Sequence, residues 1–122
     1  MYHQTIIVGA LGKDVELRYT QEGKPVASFN VAVNDYVKGE KKTAWFRVST
    51  FGDSAENCDR YLAKGSKVMV SGRLQFDPAT GSPRVYNRTD GTPGSSFELI
   101  ADRVVFLSGK SDGAQDAGDV VF

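Results

Sequence analysis

One stretch of this chain has helical periodicity, and nearly every other apolar segment alternates residue by residue. That combination restricts the chain to a few β architectures, because successive side chains of a strand point to opposite faces and alternation marks a half-buried strand. Residues 3–12 (HQTIIVGALG) are apolar and β-branched, with a bend or bulge expected at Gly9 and Gly12. Residues 15–20 (VELRYT) continue that direction to a turn at 21–24. In 25–33 (PVASFNVAV), Ala27, Phe29, Val31 and Val33 share a face, and 34–42 (NDYVKGEKK) reads as a polar hairpin loop. In 43–52 (TAWFRVSTFG), Ala44, Phe46, Val48 and Thr50 suit a core, while Trp45, Arg47, Ser49 and Phe51 occupy the other face. In 66–76, Val68, Val70, Gly72 and Leu74 fall on one side, with Lys67, Met69, Ser71 and Arg73 opposite. The last strand is 96–107 (SFELIADRVVFL).

The helix is 53–65 (DSAENCDRYLAKG). Asp53 and Glu56 have the spacing of a capping box, Ala55, Cys58 and Leu62 form an apolar stripe with Tyr61 beside it, and Gly65 is a stop. Counting 3–20 as one strand, the order is three strands, a helix, then two strands. An all-β, five-stranded OB-fold barrel with one short helix between strands 3 and 4 has this order. Another small barrel or sandwich with one helix is the alternative. Residues 77–95, rich in Pro and Gly, form a long loop or mobile hairpin that carries Arg84, Tyr86 and Arg88. The expected organisation is one domain over 1–107 and a disordered acidic tail over 108–122.

The net charge is zero, but its distribution is uneven. Residues 1–107 hold 14 Lys and Arg against 12 Asp and Glu, whereas the tail holds Lys110 against Asp112, Asp116 and Asp119. A mildly basic body with an acidic tail implies separate tasks for the two parts. A single cysteine rules out an intrachain disulfide and fits a reducing compartment. No apolar run approaches the roughly 20 residues of a membrane span. The start, MYHQTIIVG, lacks the basic region of a signal peptide, so a cytoplasmic protein with no membrane partner is expected.

Enzyme chemistry finds little support. His3 is the only histidine, Cys58 lies on the apolar stripe, and no zinc spacing or phosphate-binding glycine loop occurs. No catalytic residue, metal or cofactor is expected. The stronger constellation is aromatic and basic: Trp45, Arg47 and Phe51 on one strand face, Tyr36, Lys38, Lys41 and Lys42 just before it, Arg73 on the next strand, and Arg84, Tyr86 and Arg88 in the loop. Single-stranded nucleic acid requires such a mixture, flat faces on which bases stack and cations beside them for phosphates. The alternative is that Trp45 and Phe51 pack under the helix or in a subunit interface. Phe46 falls with the core set.

These residues resemble the bacterial single-stranded DNA-binding protein family. The resemblance is carried by IIVGALGKDVELRYTQEGKPVASFNVAV and TAWFRVSTFGDSAENCDRYLAKGSKVMVSGRL, and weakly by the terminal DVVF. It implies an OB-fold assembled as a homotetramer and no enzymatic activity. Such a protein coats single strands and recruits replication, recombination and repair proteins through its C-terminal tip. By position, Trp45 and Phe51 resemble the family's stacking aromatics and Arg47 a backbone contact, with Tyr36 near a hairpin aromatic. Asp119, Val120, Val121 and Phe122 resemble the recruiting tip, although the tail is short and one acid directly precedes VVF. The family's loop tryptophan is absent; either Phe76 or Tyr86 stands in for it or that site is lost. An OB-fold assembly subunit, such as a primosome-type component, and an RNA-binding OB domain are the other readings.

Overall fold

The computed structural model describes residues 1–108. The tail residues 109–122, including the tip Asp119–Phe122, lie outside the described residues. The elements in chain order are β1 (Thr5–Leu11), β2 (Glu16–Tyr19), β3 (Pro25–Val37), β4 (Glu40–Phe51), α1 (Asp53–Tyr61), β5 (Lys67–Leu74), β6 (Val85–Asn87), β7 (Pro93–Ser95) and β8 (Phe97–Phe106). The main sheet has the order β1-β5-β8-β4-β3-β2, and an additional β1–β3 pairing closes five of its strands into a ring. This is the expected OB-fold barrel. The first expected strand is divided into β1 and β2, so the helix follows the fourth strand segment.

Closure depends on β1 serving two partners. Thr5 to Ala10 pair with β5, while Ala10 and Leu11 pair with Ala32 and Val31 of β3. At this junction a Cβ on Gly9 would lie 2.2 Å from the Ala32 carbonyl oxygen, so only glycine lets the two backbones approach so closely. The β1–β5 register runs unbroken through Gly9. The bulge lies instead in β8, where Asp102 is left unpaired between Ser71↔Arg103 and Gly72↔Ala101.

Ile7, Leu11, Ala27, Phe29, Val31, Val48, Val68, Val70 and Leu99 fill the barrel, and Ala55, Cys58 and Leu62 seal one end. Alternation therefore sorts these strands as expected. The capping box is not formed. Gly52 is the N-cap, no side chain caps the helix, and Asp53 is already its first residue. Acidic Asp53 and Glu56 in the first turn and Arg60 in the last still oppose the helix dipole favourably. Gly65 comes after an extended Leu62, so the helix stops earlier than expected.

Residues 34–42 are also not a loop. β3 and β4 remain paired out to Val37 and Glu40, and the turn is just Lys38 and Gly39, with φ of 53° and 81°. Two successive left-handed residues match the right-handed twist of a two-residue hairpin. The 77–95 segment likewise has internal order. β6 and β7 pair, and Asp77 accepts backbone N–H groups from Ala79 and Gly81 in a tight turn.

Burial pushes the Cys58 thiol up to about 11, against a smaller opposing effect of its hydrogen bond with Ser54. The neutral thiol is therefore retained in the folded chain across ordinary pH. Native protein should be inert to thiol reagents at neutral pH and react once denatured, as a thiol titration with and without urea would read. The unfolded thiol ionises near 9.0, so this contribution to stability should be intact below that pH and decline as pH rises toward about 11.

Candidate nucleic-acid interface

The site grows from the outward face of β4. With Val48 and Thr50 buried inside, alternation turns Trp45, Arg47, Ser49 and Phe51 outward. Trp45 is 53% exposed and Phe51 52%, so neither ring is packed under α1. Because the ladder continues into the former loop, the same face extends along the β3–β4 ribbon. Arg47 lies opposite Asn30, Trp45 opposite Ala32, Thr43 opposite Asn34 and Lys41 opposite Tyr36. A 2.9 Å hydrogen bond from the Thr43 hydroxyl to Asn34 Oδ1 ties the two strands at the middle of this row. Tyr36 and Lys41 thus join Trp45, Arg47 and Phe51 on one line, and Lys38 caps the ribbon at its turn.

Arg73 reaches the same surface from β5. It pairs with Ile100 of β8, which pairs in turn with Ser49 of β4. The loop hairpin approaches from the other side. Arg84 and Arg47 line a narrow cleft of about 160 Å³ with Glu98, and Tyr86 and Trp45 line a wider one of about 420 Å³. Phe51 borders a third, about 830 Å³, with Pro25, Lys24 and Gly52. Among the described residues, the ion pairs are Lys24–Glu22 and Lys42–Glu40, both at the surface. Lys38, Lys41, Arg47, Arg73 and Arg84 are therefore free of carboxylate partners there, so an arriving anion displaces no existing bridge.

Arg88 differs from the other predicted cations. Its Nη1 donates to the Pro93 carbonyl at 3.0 Å, and its guanidinium covers Gly94, where a Cβ would lie 2.9 Å from Nε. It holds β6 against β7. At the hairpin tip, Asp90 Oδ1 accepts from the Thr92 amide at 3.0 Å and the Thr92 hydroxyl at 2.6 Å, bonds that hold its carboxyl below the usual range. The hairpin that carries Tyr86 is thus braced by its own side chains. Phe76 is exposed just beyond the end of β5.

Two contributors escaped sequence reasoning. Phe97 shares parity with buried Leu99, yet it is 47% exposed and stacks on Phe46 with ring centroids 5.0 Å apart. Gly12 is the second. A Cβ there would lie 2.5 Å from Trp45 Cζ3 and 2.7 Å from Cη2, so the indole edge rests directly on backbone.

The model of the single-strand binding protein family matches residues 2–107. The chain belongs to that family. Relatives include single-stranded DNA-binding protein 1 of Staphylococcus aureus strain MSSA476, 40% identical over 121 residues, spanning 95% of this chain and 73% of that protein. Single-stranded DNA-binding protein 2 of S. aureus strain COL is 38% identical over 118 residues, spanning 94% of this chain and 80% of that protein. The single-stranded DNA-binding protein of Xylella fastidiosa strain Temecula1 is 33% identical over 116 residues, spanning 91% of this chain and 66% of that protein. Among the described residues of this family member, no group of three or more His, Cys, Asp or Glu could hold a metal ion. No helix there is long and apolar enough to cross a membrane.

Trp45 is the sole tryptophan, so its seat can be probed by emission alone. Gly12→Ala should push the indole off the backbone and shift the emission maximum, with the far-ultraviolet circular dichroism unchanged. An unaltered emission spectrum would show that the ring is not held there.

Proposed function

We propose that the chain binds single-stranded DNA with little regard to sequence, coating and protecting exposed strands. The observation that carries this reading is the β3–β4 face on which half-exposed Trp45 and Phe51 alternate with Arg47, in line with Tyr36 and Lys41. Each stacked base contributes about 1–3 kcal/mol, and every base has a flat face to offer. In a duplex those faces are already stacked, so the surface favours unpaired strands. Arg47 between the rings, without a carboxylate partner among the described residues, neutralises phosphate and releases counterions. Members of the family are non-enzymatic binding proteins, and this chain is likewise no enzyme.

The finer reading is a bacterial, cytoplasmic, nucleoid-associated homotetramer. Its domain spans 1–107, and its tail, 108–122, recruits replication, recombination and repair proteins through Asp119–Phe122. Self-association is supported by the outward side of β1, where Ile6 is exposed. Val8 lies beside Met69 and Val105 in the same outward rows. The edge of β1 from Thr5 to Gly9 away from β5 has no partner strand among the described residues.

Titrating Trp45 fluorescence with oligo-dT should quench it, while duplex DNA should not. Trp45→Ala and Phe51→Ala should each weaken oligo-dT binding by roughly 5- to 150-fold without lowering the melting temperature greatly. Arg47→Gln should reduce the slope of log affinity against log salt by about 0.7, the value of one single-strand phosphate contact. Unfolding of the aromatic variants would return those rings to a structural role.

Deletion of 108–122 should leave oligo-dT binding intact and abolish capture of repair proteins. Loss of DNA binding with that deletion would contradict the division of tasks. Light scattering should give a tetramer mass for the full chain and a lower one for Ile6→Glu, and a monomeric parent would rule out the assembly.

A further inference from the structure

β2 lies outside the closed ring. It pairs with β3 on one side and has no partner strand on the other among the described residues. The direction of its backbone groups follows from its end. The Thr20 amide donates to the Lys24 carbonyl at 2.9 Å, so Thr20 faces β3, and by alternation so do Arg18 and Glu16. Leu17 and Tyr19 therefore point their N–H and C=O groups out of the sheet. Pro25, opposite Tyr19, fits this pattern, because it has no N–H and gives its carbonyl to Gly52 at 3.1 Å. An open edge of this kind is a template for another strand. Its side chains decide which strand. Glu16 and Arg18 are exposed on one face, neither of them in an ion pair among the described residues, and Tyr19 is 61% exposed on the other.

We propose that this edge pairs with β2 of a second copy of the chain, antiparallel about a two-fold axis through Leu17. Hydrogen bonding puts the axis through a residue and not between two, since outward-facing backbone groups must meet their like. Charge then selects the residue. An axis through Glu16 or Arg18 sets like charges against each other, and one through Tyr19 leaves most of the strand opposite the 21–24 turn. An axis through Leu17 sets Glu16 of each copy against Arg18 of the other. In that register Leu17 exchanges both backbone hydrogen bonds with Leu17 of the second copy. Tyr19 does the same with Val15 and gains it as a side-chain neighbour. Glu16 and Arg18 form the closer, non-hydrogen-bonded pairs, about 4.5 Å apart at Cα. β2 stands at the opposite end of the sheet order from β1, so this contact is separate from the exposed side of β1. The pairing itself requires no DNA. Arg18 also lies in one outward row with Val26 and Phe51, so pairing makes the outer faces of two copies continuous. A strand stacked on Phe51 of one copy then runs on to its neighbour, a consequence that rests on the single-strand reading.

The test uses full-length chains carrying Glu16→Cys or Arg18→Cys, purified apart, mixed and oxidised. The mixture should yield covalent dimers, because positions 16 and 18 oppose each other within disulfide reach. Each variant alone should yield little, since like positions lie on a diagonal of about 7–8 Å. Cys58 is buried and stays out of the reaction. A mixture that gives no more dimer than its components would overturn the pairing. Charge reversal tests it without new thiols. Glu16→Arg and Arg18→Glu should each abolish the growth of mass with concentration that light scattering reads for the parent. An equimolar mixture of the two should restore it, because every cross-copy pair is then opposite in charge, and a misfolded variant would not be rescued in this way. Failure of the mixture to restore growth, or a parent whose mass does not grow, would also overturn the pairing. Oligo-dT long enough for two copies should raise the yield of covalent dimer. An unchanged yield, with Trp45 still quenched by the same oligonucleotide, would overturn the shared strand path and leave the pairing in place. Absence of quenching would strike the single-strand reading itself.

Discussion

The structure depends on the short stretch where β1 leaves β5 and joins β3. Without that junction the sheet would have two long open edges and no inside. With it, Leu11 and Val31 meet in register and are both buried, each contributing about 1.5–3 kcal/mol against roughly 1–2 kcal/mol for fixing a residue's backbone. Gly9 makes the approach possible by having no side chain to place there. Once the ring is closed, alternation along β4 acquires a physical meaning. One parity is core and the other is surface, and the aromatic and basic residues fall on the surface parity.

The two faces of β4 were legible in sequence because its inner members, Ala44, Phe46, Val48 and Thr50, are all uncharged, while its outer ones set Trp45 and Phe51 beside Arg47 and Ser49. The strand order was legible for the same reason, and the OB-fold followed from it. Where the sequence misled, different structures share one composition. A two-stranded ribbon with no core on either side is as polar as a loop, so NDYVKGEKK concealed four further ladder pairs, from Asn34↔Thr43 to Val37↔Glu40. Asp53 and Glu56 have capping-box spacing, but Gly52 supplies the cap with a positive φ and leaves both acids inside the helix. Pro and Gly between 77 and 95 left loop and hairpin equally open, and the bracing of that hairpin by Arg88 and Asp90 could not be read from the residue types.

The site was legible as a list of residue types more than as an arrangement. Period-two reasoning united Trp45, Arg47 and Phe51 but could not add Tyr36 and Lys41 while their segment read as a loop. Phe97 was hidden by its own parity: inward-facing residues of a barrel strand are core only as far as the barrel reaches. Phe97 begins β8 at the rim, where an inward position opens into a cleft. The neutral total charge is also less telling than it looks. Surface cations without carboxylate partners act over about a Debye length, so local placement outweighs the sum.

The four-residue parallel joint between β4 and β8 bears on how the molecule comes into being. Every other strand pair in the barrel is antiparallel, and this pair joins segments separated by the helix, β5 and the whole loop hairpin. Such contacts form late, because a long loop must close before they are rewarded. A chain emerging from the ribosome therefore acquires the Trp45 ribbon well before the rim on which Phe97 sits. Its aromatic face is displayed early, and its concave surface waits for the last strand of the barrel.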